Sequence, residues 1–192
     1  MQDKKRLGLA LCGSYCTYDA LFAAAEPLAE RYELIPIMSD TAAETDSRFG
    51  TAAEHIKRLM ALTGRNVVTT IVEAEPLGPA APMDALLIAP CTGNTLAKLA
   101  HGVTDSAVLM AAKAHLRNAR PVVIALSTND GLSGAAENIA RLLNRKNIYF
   151  VPFGQDDPVK KPSSLQSDFS RLGEAVEAAL EGRQLQPLLR RD

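Results

Sequence analysis

The densest cluster of hydrogen-bonding side chains in this 192-residue chain is the run Pro90-Cys91-Thr92-Gly93-Asn94-Thr95. Thr92, Asn94 and Thr95 offer donors and acceptors with little bulk, which suits a planar or phosphorylated ligand lying close to the backbone. A short apolar run, Ala85 to Ala89, precedes them and reads as a buried strand that stops at Pro90. Leu96, Leu99 and Ala100 follow on one helical face. Strand, small polar loop and helix start is the geometry in which an open parallel sheet presents backbone N–H groups and hydroxyls to a ligand.

Three more loops carry related chemistry: Gly13-Ser14-Tyr15-Cys16-Thr17, Ser39-Asp40-Thr41, and Ser127-Thr128-Asn129-Asp130-Gly131. Each follows an apolar run, so all four gather at the carboxyl edge of one sheet, where such sheets bind ligands. The first loop lacks G-x-G-x-x-G and no Walker motif is present, which disfavours tight binding of a dinucleotide or triphosphate. Asp40 stands where the acid on an NAD ribose would stand, but without the glycine fingerprint it reads as a turn residue. A mononucleotide such as FMN needs only a helix N-terminus and a few hydroxyls for its phosphate. Ser14 and Ser39 are the candidates for that work, with the neighbouring rim loops left to contact the ring and ribityl chain.

The elements that hold these loops alternate in type. Apolar runs recur at Leu7–Cys12, Glu33–Met38, 67–72, Ala85–Ala89, Val122–Leu126 and Ile148–Pro152. Between them lie helical faces: Tyr18, Leu21, Phe22, Ala25, Leu28 and Tyr32; then Ala53, Ile56, Leu59 and Met60. Two more follow: Val108, Ala111, Ala112 and Leu116, capped by Thr104 or Asp105; and Ala135, Ile139, Leu142 and Leu143, capped by Ser133. Alternating strands and helices predict a three-layer α/β/α doubly wound parallel sheet of about six strands, of suggested order 3-2-1-4-5-6. After a Pro- and charge-rich connector, a last helix is expected over about 163–182. The box Ser163-x-x-Gln166 would start it and Gly182 would end it, with the helix packed back on the same domain. The whole chain, 1–192, is read as one domain.

Composition narrows the function. Net charge is −1, with no basic stripe or interleaved aromatics, so nucleic acid is not expected as a partner. Apolar runs are too short to cross a bilayer, and Leu7–Cys12 is needed as the first strand and so is not read as a secretory signal. Three cysteines, Cys12, Cys16 and Cys91, cannot all pair and match no zinc spacing, so a reducing cytoplasm and no metal are expected.

Together these segments resemble the flavoprotein family that includes phosphopantothenoylcysteine decarboxylases, lantibiotic cysteine decarboxylases and flavin prenyltransferases. The shared elements are the small-residue loop after the first strand, Ser39, and Pro-x-x-x-Asn-Thr running into Ala-Lys-Leu-Ala-x-Gly. Within the family, the segments 13–18, 73–78, 89–95, 127–131, 147–156 and 184–187 are similar to the dipicolinate synthase branch. The resemblance implies a Rossmann-like flavoprotein fold, FMN, a homo-oligomer, and a cytoplasmic role in the mother cell of a spore-forming bacterium. The dinucleotide-binding A subunit of such a synthase, itself a site for NAD(P), would be a separate chain sharing the oxidation of a dihydrodipicolinate-level dicarboxylate to dipicolinate. Carried over by position, the FMN contacts are Gly13, Ser14, Ser39, Thr92, Gly93, Asn94 and Thr95, with Ser127, Thr128 and Asn129 near the ring or substrate. The chain departs from the cysteine decarboxylases: Glu73-Ala-Glu75 stands near their catalytic His, Ser127-Thr-Asn-Asp-Gly replaces Pro-x-Met-Asn, and there is no Trp.

Aromatising a dihydro ring removes a hydride and a proton. Glu73, Glu75 and Asp130 are the candidate bases. Lys98, His101, Lys113, His115, Arg117 and Arg120, which could hold substrate carboxylates, follow the central loop, though helical periodicity lets only some of them face the site. Among them Lys98 reads equally as an oligomer contact, and His115 as a surface residue. Cys91 and Cys12 are read as packing residues. Alternatives on the same scaffold are a flavin-dependent decarboxylase or prenyltransferase, and a flavin-binding assembly subunit without turnover.

Overall fold

The computed structural model describes residues 4–78 and 83–190. The elements run β1 (Arg6–Leu11), a 3-10 turn (Tyr15–Thr17) into α1 (Tyr18–Arg31), β2 (Glu33–Met38), α2 (Asp40–Glu44), α3 (Ala52–Thr63), and α4 (Ile71–Ala74) extended by a second 3-10 turn (Glu75–Leu77). They continue with β3 (Ala85–Cys91), α5 (Gly93–Ala100), α6 (Ala107–Arg117), β4 (Val122–Thr128), α7 (Ala136–Leu143), β5 (Ile148–Phe150), β6 (Phe153–Gly154), β7 (Leu165–Ser167), and a 3-10 turn (Phe169–Arg171) into α8 (Leu172–Leu180).

The central strands pair in parallel in the order β2-β1-β3-β4-β5, while β7 and then β6 add antiparallel beyond the far half of β4. Side chains alternate across each strand, so the sheet feeds two cores. Leu7, Leu9 and Leu11 pack with Leu87 and Val123 against α1 and α8. Ala10, Ile88 and Ile124 face the other way, under α5 and α6. Every residue of β3 is buried, as a strand covered on both faces requires. No helix among the described residues is long and apolar enough to cross a membrane.

Several sequence expectations are corrected, each by a local interaction. The third expected strand, 67–72, shrinks to one bridge, Val68 beside Ile37, still outside β2 as the suggested order placed it. Thr70 and Glu73 then form a reciprocal capping box that starts α4, so Val72 becomes an exposed helix residue. The strand expected to stop at Pro90 runs to Cys91; its ladder with β4 shifts register between Ile88 and Cys91, where a residue without an N–H is tolerated. Ser127 and Thr128 belong to β4 because they pair with Gln166 and Leu165. The sixth strand ends at Phe150.

Capping residues move as well. Ser106, not Thr104 or Asp105, caps α6, and its hydroxyl accepts from Leu109 N–H at 3.3 Å. Ser133 does not cap α7; the Asp130 carbonyl takes the N–H groups of Ser133 and Ala135, and the helix begins a turn later. The box at Ser163–Gln166 does not form because Gln166 sits in β7, so α8 begins only at Leu172. Gly182, at φ +73°, ends it. On α3 the inward face is Ala52, His55 and Leu59, while Met60 is exposed. Leu143, expected on the buried face of α7, is exposed too.

Candidate functional site

The chain passes from β1 outward to β2 and returns across β1 to β3, so the switch point of the sheet lies between β1 and β3. A cavity of about 300 Å3 opens there. Gly13, Ser39, Asp40 and Thr41 form one side, and Thr92, Asn94, Thr95 and Lys98 the other. Asp105, Ser106 and Leu109, from the α5–α6 connection, close it.

Local chemistry fixes each wall. Thr92 is the N-cap of α5: its hydroxyl oxygen accepts from Thr95 N–H at 3.2 Å and donates to the Thr95 hydroxyl at 3.2 Å. Ser39 caps α2 in the same way, accepting from Ala42 N–H at 3.3 Å. The Cys12 thiol lies beneath both, against the Thr95 and Ser39 hydroxyls; burial pushes its pKa up to about 11, leaving it a neutral floor. Burial raises the Cys91 thiol as well, which overrides any depression by the start of α5. Asn94 is exposed within the cavity, and its side-chain amide has no partner among the described residues. Lys98 holds Asp105 at 2.7 Å, so the cavity carries a cation anchored by one carboxylate.

Five of the ten residues proposed from sequence to hold a cofactor line this cavity: Gly13, Ser39, Thr92, Asn94 and Thr95. The other five build the adjoining wall. Ser14 sits at φ +72° and gives its hydroxyl proton to the Ser127 carbonyl at 3.0 Å, tying the first loop to the end of β4. At Gly93 a side chain would displace its neighbours, since a Cβ there would lie 2.7 Å from Thr128 Oγ1 and 2.9 Å from Asp130 Oδ1. Asn129 Oδ1 and the Thr128 carbonyl both take the Ser164 hydroxyl, at 3.4 and 3.2 Å.

The candidate bases separate. Asp130 stays beside the start of α5, where its carboxylate accepts the Thr128 hydroxyl. Glu73 lies outside the cavity lining and is spent on the cap of α4; its bonds to Thr69 and Thr70 hold its carboxyl below the usual range. Glu75 is exposed and also outside the lining. Asp40, read as a turn residue, is instead the first residue of α2 and faces the cavity. Asp105, Ser106 and Leu109 were not among the expected site residues. A helix start was legible near them, but a cap placed one residue early hid that the connection returns to the rim. His115, expected at the surface, is fully buried, with neither ring nitrogen partnered among the described residues. Burial, then the nearby Arg120, holds its pKa down at about 4.

Comparison with known proteins places the chain and its fold. The chain is 50% identical over 186 residues to the B subunit of dipicolinate synthase from Bacillus subtilis (strain 168), covering 96% of this chain and 93% of that one. The crystal structure of the B subunit of dipicolinate synthase from Bacillus halodurans superposes with a TM-score of 0.90 at 46% identity, over 99% of this chain and 98% of that one. The FMN-dependent cysteine decarboxylase SpaF follows with a TM-score of 0.66 at 25% identity, over 92% and 95%. The flavoprotein family model matches residues 1–168, and the chain belongs to that family.

Proposed function

We propose that the chain binds FMN in the switch-point cavity and acts as the flavin subunit of a dipicolinate synthase, working with a separate dinucleotide-binding subunit. The observation that carries this reading is the free Asn94 amide beside the Thr92–Thr95 hydroxyl pair at the start of an eight-residue helix. The donor set fits a flavin: small hydroxyls, an uncommitted amide, and Gly13, where a Cβ would meet nothing closer than 3.5 Å. When bound, FMN supplies a two-electron acceptor for the hydride that leaves a dihydropyridine as it becomes aromatic.

The chain's own residues do the rest. Asn94, Thr92, Thr95 and Ser39 bind and orient through hydrogen bonds to small polar groups. Lys98, steadied by Asp105, offers a charge-assisted bond to one carboxylate of a dicarboxylate substrate. Asp130, whose carboxylate accepts the Thr128 hydroxyl beside the cavity lining, is the base we assign to the proton that aromatisation releases. Glu73 is removed from that role by its capping bonds.

The test is reconstitution of both purified subunits with the dihydrodipicolinate-level precursor, with and without FMN, followed by dipicolinate absorbance. Formation should require FMN. The pair Thr92→Val with Asn94→Ala should weaken FMN binding roughly 10- to 100-fold, since each lost hydrogen-bonding group is worth about 0.5–1.5 kcal/mol. Dipicolinate formation that ignores FMN overturns the reading, as does release of carbon dioxide from a cysteine-terminated peptide by the chain alone.

A further inference from the structure

Behind the cavity a groove of about 510 Å3 runs along α6, between the α5–α6 connection and the turn from α7 to β5. Leu109 lines both hollows, so one side chain separates groove from cavity. The floor is apolar: Leu99, Leu109 and Leu116, with Val103 standing 41% exposed at the edge. The rim is cationic: Lys113 and Arg117 one turn apart on α6, and Arg145 and Lys146 across from them. No carboxylate among the described residues lines it.

What sets this rim apart is the convergence of four cations without a carboxylate on one apolar floor. Nine cations elsewhere, from Arg6 to Arg183, are ion-paired with carboxylates. None of the four rim cations has a carboxylate partner among the described residues; Arg145 spends one N–H on the Leu99 carbonyl at 3.2 Å. A helix C-terminus favours a cation in its last turn, which explains Arg117 taken singly. It does not explain four of them converging on an apolar floor. Like charges at i, i+4, as at Lys113 and Arg117, weaken a helix in isolation and need compensation from outside it.

We propose that this groove docks an acidic segment bearing apolar side chains, carried by a different polypeptide. Taking the reading above as its basis, that polypeptide is the dinucleotide-binding subunit. Carboxylates of the segment pair with Lys113, Arg117, Arg145 and Lys146, while its apolar side chains cover Leu116 and Val103. The charges steer encounter and fix register, and the apolar floor supplies the burial. A chain of net charge −1 without interleaved aromatics gives a nucleic acid no stacking surface here, so an acidic polypeptide fits better.

The experiment uses biolayer interferometry, at low and high salt, to measure binding of the purified dinucleotide-binding subunit. The variants are Lys113→Glu with Arg117→Glu, the milder Lys113→Gln with Arg117→Gln, and a control, Lys57→Glu with Lys160→Glu, outside the groove. Wild-type affinity should fall with salt, and the reversed groove should bind at least about tenfold more weakly, as truncation of interfacial charges commonly does. The control should bind as wild type, and all variants should keep wild-type FMN titration and a single cooperative melting transition. Groove variants that bind and support dipicolinate formation as wild type overturn the docking assignment and leave the flavin reading standing. Loss of a homo-oligomer in light scattering assigns the groove to a second copy and overturns it too. So does a single-stranded oligonucleotide that binds wild type and not the variant. A wild-type chain that binds no partner subunit overturns both.

Discussion

Cys12, Cys16 and Cys91 share a side chain and differ entirely in surroundings. Cys12 and Cys91 are buried under the cavity with raised pKa values, whereas Cys16 is exposed on the turn after β1. Reaction needs the thiolate and access to it. A disulfide reagent should therefore titrate one thiol per native chain, at Cys16, and three after unfolding; two or more fast thiols in the native chain would contradict the buried floor. At this scale the polar residues were legible wherever they were dense. Thr92, Asn94 and Thr95 sit within four positions, and short polar side chains at a strand–helix junction have few other uses. Asp105 and Leu109 were not legible as cavity residues, because what brings them to the rim is the path of the α5–α6 connection. Glu73 misled for a related reason: its carboxylate reads as free until Thr70 is seen to claim it.

Strands and helices were legible where one periodicity acted alone. Tyr18, Leu21, Phe22, Ala25 and Leu28 predict α1, and all five are buried. The run 67–72 is apolar and β-branched, yet a capping box within it outweighs strand propensity. Leu165 and Gln166 fit a helix by spacing, but they extend a sheet by pairing with β4, and spacing cannot see a partner. The most constrained junction is that between β3 and α5, where the backbone of Gly93 passes under Thr128 and Asp130. Gly93→Val should force that lip outward and destabilise the chain by about 1–3 kcal/mol, the usual cost of overpacking. Urea unfolding measures it, and a change below about 0.5 kcal/mol would show the lip to be yielding.

At the scale of the whole molecule, alternation of strands and helices was enough to give the layers, and the strand order followed from the single crossing back over β1. The antiparallel pair β6–β7 was not legible, since two and three residues carry no period. Two buried histidines, His55 and His115, which the sequence did not mark as core, set the acid limit of the fold. Burial lowers both, and His115 falls from 6.5 to about 4. The folded value lies below the unfolded one, so as pH drops through this range the unfolded chain takes up a proton that the folded chain refuses. Stability should be whole above about pH 6.5 and fall towards pH 4, by on the order of 3 kcal/mol for His115 alone. His115→Leu should flatten this limb in urea titrations at successive pH values; an unchanged slope would assign it elsewhere. The division of β4 between two neighbours has its own consequence. β5 covers Val122 to Ile124, and β7 covers Ser127 and Thr128 on the stretch beyond. Exposed strand edges invite pairing with foreign chains. Cutting the chain after Pro152 would thus bare the backbone of Ser127 and Thr128 at the ligand rim, offering a template for aggregation where the intact protein has a lip.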